Sequence, residues 1–176
     1  MRRKSLKSNL NITPRAYTKQ HSCCRVLLRI FASKRGGKTM MEKRNVKLQI
    51  ASQSDGQMIE QTFNAELYVK GDHSYYRYNE TDENMGRTIT TLKVEPGQIR
   101  IIRHGDVQSE QSFALQSHRS FSYQTPQGRL ELTTFTHAIN VGLVEQIGTI
   151  SWSYDLFVSD ELSGTYSLIV EISELD

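Results

Sequence analysis

Residues 40–176 predict one all-β domain, a meandering antiparallel barrel of about eight to ten strands. Three observations lead to this fold class. Short runs alternate apolar and polar residues with a period of two, turn residues separate the runs at near-regular spacing, and no stretch has the 3.6-residue periodicity of a helix.

The runs follow in order. "RNVKLQIAS" alternates Val46, Leu48 and Ile50 against Lys47 and Gln49, and "SDG" turns it into "QMIEQTFNAELYVK". "GDH" leads to "SYYRYNE", and the polar loop "TDENMG" leads to "RTITTLKV". After "EPG" comes "QIRIIRH", then "GD" and "VQSEQSFAL". The second half runs "SFSYQT", the turn "PQG", "RLELTTFTHAINVGL", "EQIGTISWSYDLFV", "SDELSG" and "TYSLIVEIS". Asp55-Gly56, Pro96-Gly97, Gly105-Asp106 and Gln127-Gly128 supply the turn chemistry. Near the C-terminus, Ile150, Trp152, Tyr154, Leu156 and Val158 share one face, and Tyr166, Leu168, Val170 and Ile172 repeat the scheme. With one apolar face per strand and no helix to cover it, the sheet must close on itself or fold flat against itself. Closure is the expectation, and a flattened sandwich is its rival.

Charge divides the chain. Residues 1–39 hold 11 Lys and Arg, no Asp or Glu, and both cysteines, Cys23 and Cys24. The other 137 residues hold 11 basic and 19 acidic residues, a net charge of −8. Such a body repels phosphate, so no nucleic-acid partner is expected for it. It has no cysteine for a disulfide or for thiol chemistry, and no apolar run of about 18 residues that would span a membrane.

Within the basic segment, "ASKRGGKT" fits the looser form of a phosphate-binding loop, with Ala32 opening it and Gly37, Lys38 and Thr39 closing it. Such a loop needs a strand before it and a helix after it. Here the strand pattern from Arg44 follows almost at once. The acid-free, Arg- and Ser-rich composition also suits a targeting peptide. The favoured reading is a disordered basic extension from a start assigned too far upstream. "RGGKTMM" can be encoded by a string containing AGGAGG just before ATG, which places the expected start at Met40 or Met41.

"GRTITTLKVEPGQIRIIRHG", "FSYQTPQGRLELTTFTHAINV" and "GTISWSYDLFVSDELSGTYSLIVEISE" resemble the YwiB-like family of bacterial domains of unknown function. The resemblance spans residues 42–174. It implies a lipocalin-like (calycin) barrel and no particular activity. The Gly-x-Trp signature of secreted lipocalins is missing, since Trp152 stands late in the chain within "GTISW". Matched to the family's pattern are Glu80, Arg103, Tyr123, Thr125, Gly128, Thr136 and Tyr154.

A barrel of this size can enclose one small ligand. The lumen candidates are Tyr76, Tyr78, Glu80, Arg103, Tyr123, Thr136, Trp152 and Tyr154. Aromatic residues on an alternating face ordinarily pack as core, so these are weighed against plain packing. Arg103 shares its face with Ile101, and an inward Arg needs a carboxylate, for which Glu80 is the expected partner. "NETDENMG" is expected as a solvated loop at the barrel mouth.

The five histidines lack metal-ligand spacing, and no Gly-x-Ser-x-Gly elbow occurs. No metal, no cofactor and no catalytic residue is therefore expected. His104 beside Asp106, and His137, are the only acid–base candidates, and a surface role suits each better. The sequence predicts a small cytoplasmic bacterial barrel that binds a small, partly apolar molecule. The alternatives are a filled barrel that pairs with a partner or forms a homodimer and, with less support, an acid–base enzyme.

Overall fold

The computed structural model describes residues 43–175, and the expectations for residues 1–39 lie outside the described residues. Ten strands follow in order: β1 (Lys43–Ser54), β2 (Gln57–Lys70), β3 (His73–Asn79), β4 (Thr88–Glu95), β5 (Gln98–Gly105), β6 (Gln108–Ala114), β7 (His118–Thr125), β8 (Gly128–Val144), β9 (Ile147–Val158) and β10 (Glu161–Glu174). Each strand pairs antiparallel with its neighbours in sequence, and β1 also pairs with β10 from Val46↔Glu174 to Ser54↔Tyr166. The sheet is a closed barrel, so the sandwich alternative falls. β1 begins at Lys43, where a phosphate-loop reading would need a helix.

Alternation places the core. Val46, Leu48, Phe63, Leu67, Tyr76, Leu92, Ile99, Phe113, Ile150, Trp152, Val170 and Ile172 are all buried, each from the inward face of its strand. On β8 the phase switches. Leu132, Thr134 and Thr136 point inward at even positions, then a bulge at His137 brings Ile139 opposite Trp152. One extra residue in a strand reverses the faces that follow it.

The turn at Asp55-Gly56 has two positive φ values, 49° and 78°, the tight geometry that suits a twisted hairpin. Glu145-Gln146 (51°, 69°) and Ser159-Asp160 (51°, 65°) adopt the same geometry without glycine. The "SDELSG" segment expected as a turn is therefore a two-residue turn, with β10 already under way at Glu161.

Wall height is unequal. β1, β2, β8, β9 and β10 are 12 to 17 residues long, while β3 to β7 are 7 or 8. The end holding the β2–β3 and β8–β9 turns is plugged. There Tyr76 donates its hydroxyl to the Gln146 carbonyl at 2.9 Å, and Ser74 donates to the Gln146 side chain. Phe113 fills the middle, 5.6 Å from Trp152 and 4.7 Å from Tyr154 between ring centroids.

Because Phe113 is fully enclosed at the centre of this packing, Phe113→Ala should destabilise the barrel by about 3–5 kcal/mol, read as a lowered urea midpoint with an unchanged slope.

Candidate functional site

The opposite end of the barrel holds a cavity of about 280 Å³. Register explains which side chains reach it. Tyr78 pairs with Thr90, Thr90 with Arg103, Arg103 with Ser109, and Ser109 with Tyr123, so these five residues form one row around the inner wall of β3 to β7. On the facing wall Thr136 pairs with Tyr154, and Tyr154 with Tyr166. The two phenol rings there stack at 5.4 Å. Ile50, Leu92, Ile101, Leu168 and Val170 add the apolar surface.

A loop crosses the mouth between β3 and β4. It contains one 3-10 turn, Glu83–Met85, whose first turn is capped by Asp82 accepting from the Asn84 N–H at 2.8 Å. Asp82 and Met85 line the cavity, and the Tyr123 hydroxyl lies 3.9 Å from the Met85 sulfur. The loop is bonded to the β5–β6 turn: the Arg87 N–H donates to Asp106 Oδ2 at 2.9 Å, and the Val107 N–H donates to Thr88 Oγ1 at 3.0 Å. Gly86 makes this approach possible. Its φ is +56°, and a Cβ there would stand 2.4 Å from the Asp106 carboxylate.

Of the eight lumen candidates, Tyr78, Glu80, Arg103, Trp152 and Tyr154 line the cavity. Thr136 is fully buried beside Tyr154, and Tyr123 is half-buried beside Met85. Tyr76 does not reach it, because it seals the plugged end with Gln146. Thr125 and Gly128 sit on the β7–β8 turn, bonded to each other. Apart from the aliphatic wall, the lining residues missed in the sequence were Ser52, Gln61, Asp82, Met85 and Tyr166. The first two sit on the inward face of strands whose alternation was already visible, while the two loop residues belong to "NETDENMG", expected at the barrel mouth but as a solvated loop. Among the described residues no histidine lines the cavity. His137 pairs outside with Asp155 at 2.8 Å, His73 lies 3.6 Å from Glu95, and His104 is exposed while its expected partner Asp106 is engaged by Arg87.

The site is polar at one point. The Glu80 side chain is 7% exposed and Arg103 21%, with Arg103 Nε 4.0 Å from Glu80 Oε1. That oxygen also accepts from Thr90 Oγ1. The separation gives charge compensation but is too long for a hydrogen bond. Among the described residues, Arg103 Nε, Ser109 Oγ, Thr136 Oγ1 and Trp152 Nε1 are buried without a hydrogen-bond partner. An indole N–H and a guanidinium can only donate, and leaving such a group unpaired costs about 1–3 kcal/mol. Burial pushes the phenols of Tyr76 and Tyr154 up to about 12, with Gln111 and Arg103 partly offsetting the shift at Tyr154. Tyr78 is also raised, by burial and then by the Glu80 charge.

Two measurements test this electrostatic arrangement. Arg103→Met should cost about 1–3 kcal/mol by stranding the buried Glu80 carboxylate. Adding Glu80→Gln should recover part of that loss, giving a coupling of about 1 kcal/mol in a double-mutant cycle. Alkaline unfolding provides the second. An unfolded phenol ionises near 10, whereas the folded Tyr76 and Tyr154 hold their protons to about 12. Stability is therefore complete below pH 10 and falls as pH rises through that window, by about 1.4 kcal/mol per pH unit for each phenol. Tyr154→Phe should remove one such share of the slope.

Comparison with known proteins agrees with this architecture. The family described as Domain of unknown function (DUF1934) matches residues 45–170. The "Uncharacterized beta-barrel protein YwiB" of Bacillus subtilis (strain 168) is 31% identical over 126 residues, which cover 72% of this chain and 88% of that protein. The crystal structure of the ywiB protein from Bacillus subtilis superposes with a TM-score of 0.69 at 28% identity, covering 77% of this chain and 96% of that one. Among the described residues no helix is long and apolar enough to cross a membrane.

Proposed function

The chain belongs to the family of Domain of unknown function (DUF1934), and we propose that its barrel is a cytoplasmic binding module. Its ligand is a small molecule with an apolar body and a hydrogen-bond-accepting head, a carbonyl or a carboxylate. One observation carries this reading. Arg103 Nε and Trp152 Nε1, both restricted to donating, are buried without acceptors on the wall of a 280 Å³ cavity. A ligand acceptor at this wall would give the Arg103 guanidinium the partner it lacks, and an arginine can hold a carboxylate through two parallel bonds. The apolar and aromatic remainder of the wall suits the ligand's body. The volume stands near the lower end of ligand pockets, about 300–1,000 Å³, which limits the occupant to a small molecule. An acid–base enzyme lacks comparable support, since no histidine among the described residues lines the cavity.

Native mass spectrometry of the full chain, before and after denaturation, tests the reading directly. A stoichiometric mass lost on denaturation is expected and would give the ligand's formula. A parallel test uses Trp152, the only tryptophan in the chain. The anionic aromatic probe 1-anilinonaphthalene-8-sulfonate should quench its emission by energy transfer, and Arg103→Met should weaken that response at least tenfold, about 1.4 kcal/mol of binding. A bare mass together with probe binding indifferent to Arg103 would sink the proposal.

A further inference from the structure

The unequal wall heights leave one strand half paired. β2 pairs with β1 over 12 of its 14 residues, from Gln57↔Ser54 to Tyr68↔Lys43. Its ladder with β3 covers only Glu66↔Arg77 to Lys70↔His73. Nine residues, Gln57 to Ala65, thus have no sheet neighbour on the β3 side among the described residues. Gln57, Met58, Ile59, Glu60, Thr62 and Asn64 of this stretch are exposed, with Met58 at 62% and Ile59 at 60%. A groove lined by Asn64, Glu66, Arg77 and Asn79 marks where the two strands part.

Exposed strand edges offer a row of unpaired backbone groups to another chain, and proteins usually blunt them with Pro, Lys, a bulge or an inward charge. This edge has none of these. It contains no Pro, Lys or Arg, its pairing with β1 shows no register shift, and its only charge is the outward Glu60. We infer that the Gln57–Ala65 edge is a dimerisation surface, where it pairs antiparallel with the same edge of a second copy of this chain.

Self-complementarity singles out the second copy. A strand paired antiparallel with its own copy is a two-fold, isologous contact, and the nine-residue edge has Gln61 at its midpoint. Centred there, Gln61 faces the partner's Gln61, Ile59 faces the partner's Phe63, and Met58 faces the partner's Asn64. Glu60 faces the partner's Thr62, so no like charges are opposed. Centring on Glu60 would set two carboxylates directly opposite, which is destabilising. A one-residue slip would turn inward faces outward. Centring on Thr62 would shorten the ladder, because Glu66 is already bonded into the pair with Arg77. This inference does not depend on the cavity being occupied.

Sedimentation velocity of the full chain over a wide concentration range should show a monomer–dimer equilibrium. Thr62→Glu sets a carboxylate against the partner's Glu60 twice and should weaken the dimer about tenfold, while Thr62→Lys should tighten it. Residue 62 points to solvent, so circular dichroism should show both variants folded. Opposed residues of an antiparallel pair have Cα atoms about 4.5–5.5 Å apart, within the span of a disulfide. With Cys23 and Cys24 changed to Ser, Gln61→Cys should therefore oxidise to a covalent dimer. A chain that stays monomeric throughout overturns the inference. So does a dimer that ignores both Thr62 substitutions and leaves the position-61 thiol unlinked.

Discussion

The ladder between β1 and β10 is what the rest of the molecule depends on. Every strand carries one apolar face, and no helix among the described residues is available to cover an open sheet. Nine consecutive pairs, Val46↔Glu174 to Ser54↔Tyr166, join the first strand to the last and turn ten exposed faces into one interior. Val46, Leu48, Val170 and Ile172 sit along that join and are nearly inaccessible. Closure thus pairs the first strand with the last and buries the core in a single step, and opening it would expose both at once.

Unequal strand length then decides how the interior is used. Phe113 packs against Trp152 and Tyr154 in the middle, and Tyr76 bonds Gln146 at the plugged end. Toward the other end lies the cavity, bordered by Glu80 and Arg103. Burying both charges is unfavourable unless they compensate each other. At 4.0 Å they do so only loosely, which leaves the guanidinium with donors to spare. The same inequality leaves β2 taller than β3 and exposes its edge.

Much of this was legible residue by residue. The strand order and the inward set on β9 and β10 follow from turn placement and a period of two. The expectation that Arg103 shares the inward face with Ile101 rests on the same rule, and the structure places its guanidinium beside Glu80. Three features were not legible. Glu145-Gln146 makes a tight turn without a glycine, because the long ladders on either side hold both residues at positive φ. The bulge at His137 leaves no mark in composition and is visible only as a change of phase along β8. Met85 and Asp82 reach the cavity because Gly86 and Asp106 hold their loop over the mouth, a contact between residues 20 apart in the chain.

The sequence by itself determined that this chain forms consecutive antiparallel strands, which side of each strand faces inward, and that closure is the economical way to bury those sides. All of these are local properties, carried by the alternation of neighbouring residues and by turn chemistry. Only the tertiary structure decided that the interior is filled at one end and hollow at the other, that Tyr76 is a plug while Tyr78 borders the cavity, and that β2 outruns β3. A void is the difference between the space enclosed by ten strands and the volume of the side chains they project into it. That difference depends on register and relative strand length around the whole ring, which no single stretch of sequence contains.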